Sequence, residues 1–111
     1  MNLKGYASTQ IPVPIKVQNL VIRDYCDKLG HSYFMSDVEF VSGCHVLQGI
    51  PFEDFDGICA YSMSLMPRDE ETRDLIFAVA EGKEFHFALE GYVWPRDAEM
   101  LTTLWRLKSL I

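Results

Sequence analysis

The stretch Gly57-Ile58-Cys59-Ala60-Tyr61 decides the fold. It is apolar from Ile58 through Ala60, without the alternation of a strand that faces water on one side. Such a run suits a strand buried on both faces in a parallel sheet. Downstream, Ser62-Met63-Ser64-Leu65-Met66-Pro67-Arg68 reads as a loop. Asp69 to Glu81 reads as a helix. Asp69, Glu70 and Glu71 crowd its first turn, where negative charge suits the helix dipole, and Leu75, Ile76 and Val79 form its expected buried stripe before Gly82. Glu84 to Leu89 alternates Phe85, Phe87 and Leu89 against His86 and Ala88, as a strand does, and Glu90-Gly91 closes it. Pro95 suits a first helical position, and Ala98, Leu101, Leu104 and Trp105 trace a C-terminal helix.

Upstream, Phe52 to Asp56 is an acidic connection, and Cys44 to Ile50 is apolar enough for a short helix closed by Gly49 and Pro51. Ser36 to Gly43 reads as a loop and Ser32 to Met35 as a strand. Val17, Leu20, Val21, Tyr25 and Leu29 recur at helical spacing, and Gly30 is the natural stop. Before them, Ile11-Pro12-Val13-Pro14 forces an extended loop, because prolines two apart fit neither a helix interior nor a central strand. Leu3 to Ala7 is the first strand. The order β-α-β-(α)-β-α-β-α predicts one α/β domain over residues 1–111. Its sheet is expected to be mostly parallel, four-stranded and doubly wound in the order 2-1-3-4.

The chain has 111 residues, with sixteen acidic side chains against ten Lys and Arg, for a net charge of −6. A dedicated nucleic-acid or anionic-membrane binder needs a basic face, so neither partner is expected. Cys26, Cys44 and Cys59, spaced 18 and 15 residues apart, form neither a disulfide framework nor a zinc pattern. Met1 to Tyr6 lacks the basic-then-apolar pattern of a secretory signal, and no run approaches the ~18 apolar residues of a membrane span. A soluble cytoplasmic protein with reduced thiols is expected.

Open parallel sheets bind ligands beyond the carboxyl ends of the strands, where the strand order reverses. Here that point falls between the first and third strands. Ser8, Thr9 and Gln10 follow the first strand, and Ser62, Ser64 and Arg68 follow the third. Hydroxyls and backbone N–H groups leading into helices favour phosphate or carboxylate, and Arg68 adds a bidentate fork. The same hydroxyls also suit helix and turn caps. Glu90 ends the fourth strand on the same edge. Cys44, next to His45, is a candidate reactive thiol if a helix N-terminus lowers its pKa, although adjacent residues on a helix do not face each other. His31, His45 and His86 show no paired spacing, so no metal is expected. Tyr92, Trp94 and Trp105 suit either a core or a dimer face.

Gly5-Tyr6-Ala7-Ser8-Thr9-Gln10, Gln18 opening a helix, Ser42-Gly43, Asp56-Gly57 and Pro67-Arg68-Asp69 are laid out as in the catalytic domain of serine recombinases (resolvases). The chain resembles that family over residues 3 to 91. The resemblance implies a resolvase-like fold with a nucleophilic serine after the first strand and arginines around it. Ser8 or Thr9 lies near the nucleophile position and Arg68 matches an arginine. The arginine after the first strand is absent, and Ser64-Leu65 stands where the family has Asp-Arg. Strand exchange needs those cations to stabilise a phosphoryl transition state. The resemblance therefore implies the fold without the reaction, and no DNA-binding domain is expected after the C-terminal helix.

A second likeness is longer. Gly5-Tyr6, the segment from Val17 to Cys26 (Val17-Gln18-Asn19-Leu20-Val21-Ile22-Arg23-Asp24-Tyr25-Cys26), Gly43-Cys44, Asp56-Gly57-Ile58, Tyr61-Ser62, Met66-Pro67 and Phe85-His86-Phe87-Ala88-Leu89-Glu90-Gly91 resemble the sporadic carbohydrate cluster proteins. Those small bacterial proteins are encoded among genes for surface polysaccharide. Gln10 stands where that family has an arginine, and the stretch from Cys44 to Phe55 is shortened. The resemblance implies a cytosolic accessory protein of bacterial surface polysaccharide biosynthesis (lipopolysaccharide O-antigen or capsule). It would bind a small anionic metabolite, such as a sugar phosphate or nucleotide sugar, through Ser8, Thr9, Gln10, Ser62, Ser64, Arg68 and Glu90, with no cofactor. The alternative is a non-catalytic interaction module, forming a homodimer through the C-terminal helix or docking a biosynthetic enzyme.

Overall fold

The computed structural model describes residues 1–40 and 44–109. Ser42 and Gly43 of the expected loop lie outside them. Along the chain run β1 (Asn2–Ser8), α1 (Ile15–Leu29), β2 (Ser32–Glu39), α2 (His45–Gln48), β3 (Gly57–Ala60), α3 (Glu70–Val79), β4 (Glu84–Phe87), β5 (Tyr92–Trp94) and α4 (Ala98–Ser109). Single 3-10 turns span Phe52–Asp54 and Met63–Leu65. The sheet order is β2-β1-β3-β4-β5, with the first four strands parallel and β5 antiparallel to β4.

The expected order 2-1-3-4 is therefore present, and a fifth strand extends it. Gly91 turns at φ 78°, a region open to glycine, and its N–H donates to the Phe87 carbonyl at 2.8 Å. That reversal sets Tyr92 opposite Phe87 and Trp94 opposite Phe85. Strand β2 also outruns its expected end at Met35. The β1–β2 register shifts between Lys4 and Tyr6, which absorbs an extra residue and carries pairing on to Glu39.

Successive strand residues point to opposite faces, and the sheet is covered on both. His86 meets Tyr25 of α1 on one face. Phe85 meets Phe77 of α3, and Phe87 meets Trp105 of α4, on the other. The fully buried side chains Leu3, Tyr6, Ile22, Cys26, Leu47, Ile58, Cys59, Phe85, Phe87 and Leu101 form one core. At Gly57 a Cβ would fall 2.4 Å from the Glu84 carbonyl oxygen, so the β3–β4 approach requires glycine there.

Two helix stripes are rotated from their expected positions. Helix α1 buries Gln18, Ile22 and Cys26 and leaves Val17 and Leu20 exposed. Helix α3 buries Arg73 and Ile76 and leaves Leu75 and Val79 exposed. In each case a polar side chain satisfied by backbone carbonyls takes the inward position. The helix ends are as expected: Gly30 adopts the left-handed cap, and Asp69 caps α3 by accepting from the Thr72 N–H at 3.0 Å.

Candidate functional site

Strands β1 and β3 lie side by side, but the chain leaves them for opposite faces of the sheet. Their carboxyl ends therefore open a crevice. A cleft of about 240 Å³ sits there, walled by Tyr6, Ser8, Gln10, Ile11 and Cys44 on one side and residues 64–68 on the other. Four expected ligand residues, Ser8, Gln10, Ser64 and Arg68, thus line one space, together with Cys44.

Gln18 sets the β1 loop. Its Oε1 accepts from the Ser8 N–H at 3.0 Å, and its Nε2 donates to the carbonyls of Ser8 (2.7 Å) and Val13 (2.8 Å). One buried amide thus ties both ends of a loop whose prolines have no N–H to offer. Ser8 Oγ accepts from the Gln10 N–H at 3.0 Å. Thr9 lies elsewhere: its N–H and hydroxyl both donate to the Glu39 carbonyl, at 2.9 and 3.0 Å, which fastens it to the end of β2.

Ser62 and Glu90 are bonded to each other. Ser62 Oγ donates to Glu90 Oε2 at 2.6 Å, and Glu90 Oε1 accepts from the Met63 N–H at 2.9 Å. Ser62 Oγ also accepts from the Ser64 N–H and hydroxyl at 3.1 and 3.0 Å. Ser62 is 2% exposed, and its hydrogen-bonding capacity is filled. This pair holds the 3-10 turn that presents the exposed Ser64.

Behind the cleft, Tyr6 donates to Glu39 Oε1 at 3.0 Å, and the Leu47 N–H donates to the same oxygen at 3.0 Å. Burial above all, then Cys44 and Glu39, raises the Tyr6 phenol far above its ordinary range. Cys44 precedes the four-residue α2, but burial, with Glu39 adding to it, raises its thiol pKa against the opposing effect of the neighbouring Tyr6 hydroxyl. At Cys44, the candidate reactive thiol, this shift favours the thiol over the thiolate, and its Sγ donates to the Leu65 carbonyl at 3.7 Å.

A second, larger groove of about 430 Å³ adjoins the first and shares Ile11, Ser64, Met66 and Arg68 with it; Met63, Arg73, Trp105 and Lys108 complete its walls. Arg73 is 3% exposed. It donates to the carbonyls of Pro67 and Arg68, both at 2.8 Å, and lies 4.7 Å from the Trp105 ring centre. Burial lowers its pKa, yet a guanidinium remains charged. Among the described residues no carboxylate comes within 4 Å of Arg73, Arg68 or Lys108, whereas Lys4, Lys28, Arg96 and Arg106 each have one. Arg73 was hidden in the sequence among Asp69, Glu70, Glu71 and Asp74, where it resembles a solvated helix face.

Of the aromatic residues that suit a core or a dimer face, Trp105 belongs to the core, and Tyr92 and Trp94 pack against it while partly exposed. Trp105 is buried and donates its indole N–H to the Met63 carbonyl at 3.0 Å, and Trp94 stacks on Phe77 at 4.2 Å. Two histidines scattered in sequence meet in space, with His31 and His86 ring centres 5.2 Å apart. His86 Nδ1 lies 2.6 Å from the Tyr25 hydroxyl, and Nε2 lies 2.8 Å from Glu84 Oε1. Burial lowers the His86 pKa against the opposing pull of Glu84.

No protein-family model and no curated protein matches the chain. Among solved structures, the N-terminal catalytic domain of TP901-1 integrase superposes with a TM-score of 0.68 at 15% identity, covering 99% of this chain and 95% of that one. At that identity the likeness shows the fold alone. The chain has the resolvase-like α/β catalytic-domain fold, with its candidate site at the carboxyl edge of β1 and β3.

Proposed function

We propose that the protein binds a small anionic metabolite, a sugar phosphate or nucleotide sugar, in the paired grooves beside Arg68. The observation that carries this reading is Arg73, a buried guanidinium held by carbonyls with no carboxylate within 4 Å among the described residues, opening onto the same groove as Arg68 and Lys108. Buried charge is costly unless compensated. Two carbonyls satisfy hydrogen bonds of Arg73 but leave its charge in place; Glu70, Asp74 and Asp69 act on it from beyond ion-pair distance, and Arg68 and Lys108 add positive charge at the same groove in a chain of net charge −6. A phosphate is the natural complement. The likeness of the segments from Val17 to Cys26 and from Phe85 to Gly91 to sporadic carbohydrate cluster proteins supports bacterial surface polysaccharide biosynthesis as the setting.

Isothermal titration with glucose 1-phosphate and inorganic phosphate tests this. Saturable binding is expected at one site, weakened about tenfold or more in Arg68→Ala, a loss of about 1.4 kcal/mol or more. Heat of dilution alone from the wild type, or unchanged affinity in Arg68→Ala, would overturn it.

A further inference from the structure

The 3-10 turn Met63–Leu65 fixes the direction in which a short chain of hydroxyls runs. Ser62 Oγ gives its one proton to Glu90 Oε2 at 2.6 Å, a charge-assisted bond that the carboxylate can only accept. Ser62 therefore has no proton for Ser64, and the 3.0 Å bond between the two hydroxyls is donated by Ser64. Ser64 Oγ is left with lone pairs and no proton to offer, and among the described residues no hydrogen bond is donated to it. Ser64 is exposed, and it lines both grooves together with Arg68. The wall that brings a cation to the ligand thus also holds a fixed acceptor. Ser8, on the opposite wall of the cleft, has the reverse assignment: its Oγ accepts from the Gln10 N–H and keeps its proton free.

We infer that Ser64 is a specificity-determining residue: it selects an anion that carries its own O–H, so the site takes a protonated phosphate in preference to sulfate. This rests on the anion-binding reading above and goes beyond it by naming the protonation state bound and the residue that reads it. An oxyanion without a proton presents lone pairs to the lone pairs of Ser64, and neither side has a donor. A phosphate with one P–O–H donates that proton to Ser64 Oγ while its other oxygens accept from Arg68 and Ser8. To turn its own proton toward the ligand, Ser64 must give up its bond to Ser62, which is anchored on Glu90. The charged and titratable groups around this position are Arg68, Arg73 and Lys108 along the groove walls, Tyr6 and Cys44 in the cleft, and Glu90 behind Ser62. Among the described residues neither groove is lined by a carboxylate, so the wall accepts a proton bond without repelling the anion's charge.

Isothermal titration at pH 8 with inorganic phosphate and with sulfate tests the assignment, because hydrogen phosphate and sulfate are then dianions of like shape that differ by one proton. The wild type is expected to bind hydrogen phosphate about tenfold or more tighter than sulfate. Ser64→Ala is expected to bring the two within about twofold, by weakening phosphate and relieving sulfate, and its retained sulfate binding shows that the variant is folded. Arg68→Ala is expected to weaken both anions and keep their ratio. Glucose 1-phosphate gives an independent reading, since a phosphate monoester loses its last proton at about pH 6. The ratio of its affinity at pH 5.5 to that at pH 8 is expected to be about threefold or more smaller in Ser64→Ala than in the wild type. Equal affinity for the two anions in the wild type, or a preference for phosphate that survives in Ser64→Ala, would overturn this inference and leave anion binding standing. Absence of binding by phosphate, sulfate and glucose 1-phosphate alike would overturn both.

Discussion

Replacing Glu90 by Gln separates a turn-holding role from a ligand-binding one. The carboxylate accepts from Ser62 Oγ at 2.6 Å and from the Met63 N–H at 2.9 Å, both charge-assisted. In Glu90→Gln the amide oxygen can keep one of these bonds. If it keeps Met63, the new NH2 group faces Ser62 Oγ, which already accepts from the N–H and hydroxyl of Ser64. Two donors then oppose each other, and Ser62, 2% exposed, has no water to turn to. The lost bond to a charged acceptor costs about 1.5–3 kcal/mol and the stranded donor about 1 more, so the variant should lose roughly 2–4 kcal/mol. Urea unfolding followed by tryptophan fluorescence reads this directly. With a slope of about 1.5 kcal/mol/M the midpoint should fall by roughly 2 M at unchanged slope. Ser62→Ala and the double variant complete a cycle with an expected coupling of about 1 kcal/mol or more. A loss below about 0.5 kcal/mol, or an additive cycle, would show that the Ser62–Glu90 bond does not hold the turn.

Gly57→Ala should destabilise the fold by about 1–3 kcal/mol, because its Cβ meets the Glu84 carbonyl oxygen at 2.4 Å; an unchanged melting temperature would contradict the close β3–β4 approach. The His86 pKa is lowered in the fold, so between that value and the ordinary value near 6.5 the unfolded chain binds the extra proton. Stability should therefore fall as pH drops from 7 through that window, and His86→Gln should flatten the dependence in urea titrations at pH 7 and 5.5. Cys44, with its raised thiol pKa, should alkylate more slowly with iodoacetamide at pH 7.5 than a free cysteine peptide, as read by peptide mass mapping; faster modification would contradict a protonated thiol.

Much of the architecture is local in origin. The apolar run Ile58-Cys59-Ala60 marks a strand covered on both faces, and alternation of strands with helices makes neighbours parallel. Gly30 and Asp69 end and begin helices through their own backbone and side-chain chemistry. From parallel order follows the switch point, and from the switch point the meeting of Ser8, Gln10, Ser64 and Arg68 at one cleft. These features depend on periodicity and capping, which act over a few residues and leave a trace in composition.

Only the tertiary structure decided which of those polar groups remain free. Ser62 and Glu90 are 28 residues apart, and their bond depends on β3 and β4 ending side by side. Arg73 has the spacing of a solvated helix residue, and it points inward because the carbonyls of Pro67 and Arg68 and the face of Trp105 receive it. Gln18 displaces Val17 from the buried stripe for the same reason, since a satisfied amide is as welcome in the interior as an aliphatic chain. Strand β5 exists because Gly91 reverses the chain onto β4. Hydropathy patterns record what a residue prefers when alone, whereas burial of a polar group is settled by partners that folding brings from far along the chain.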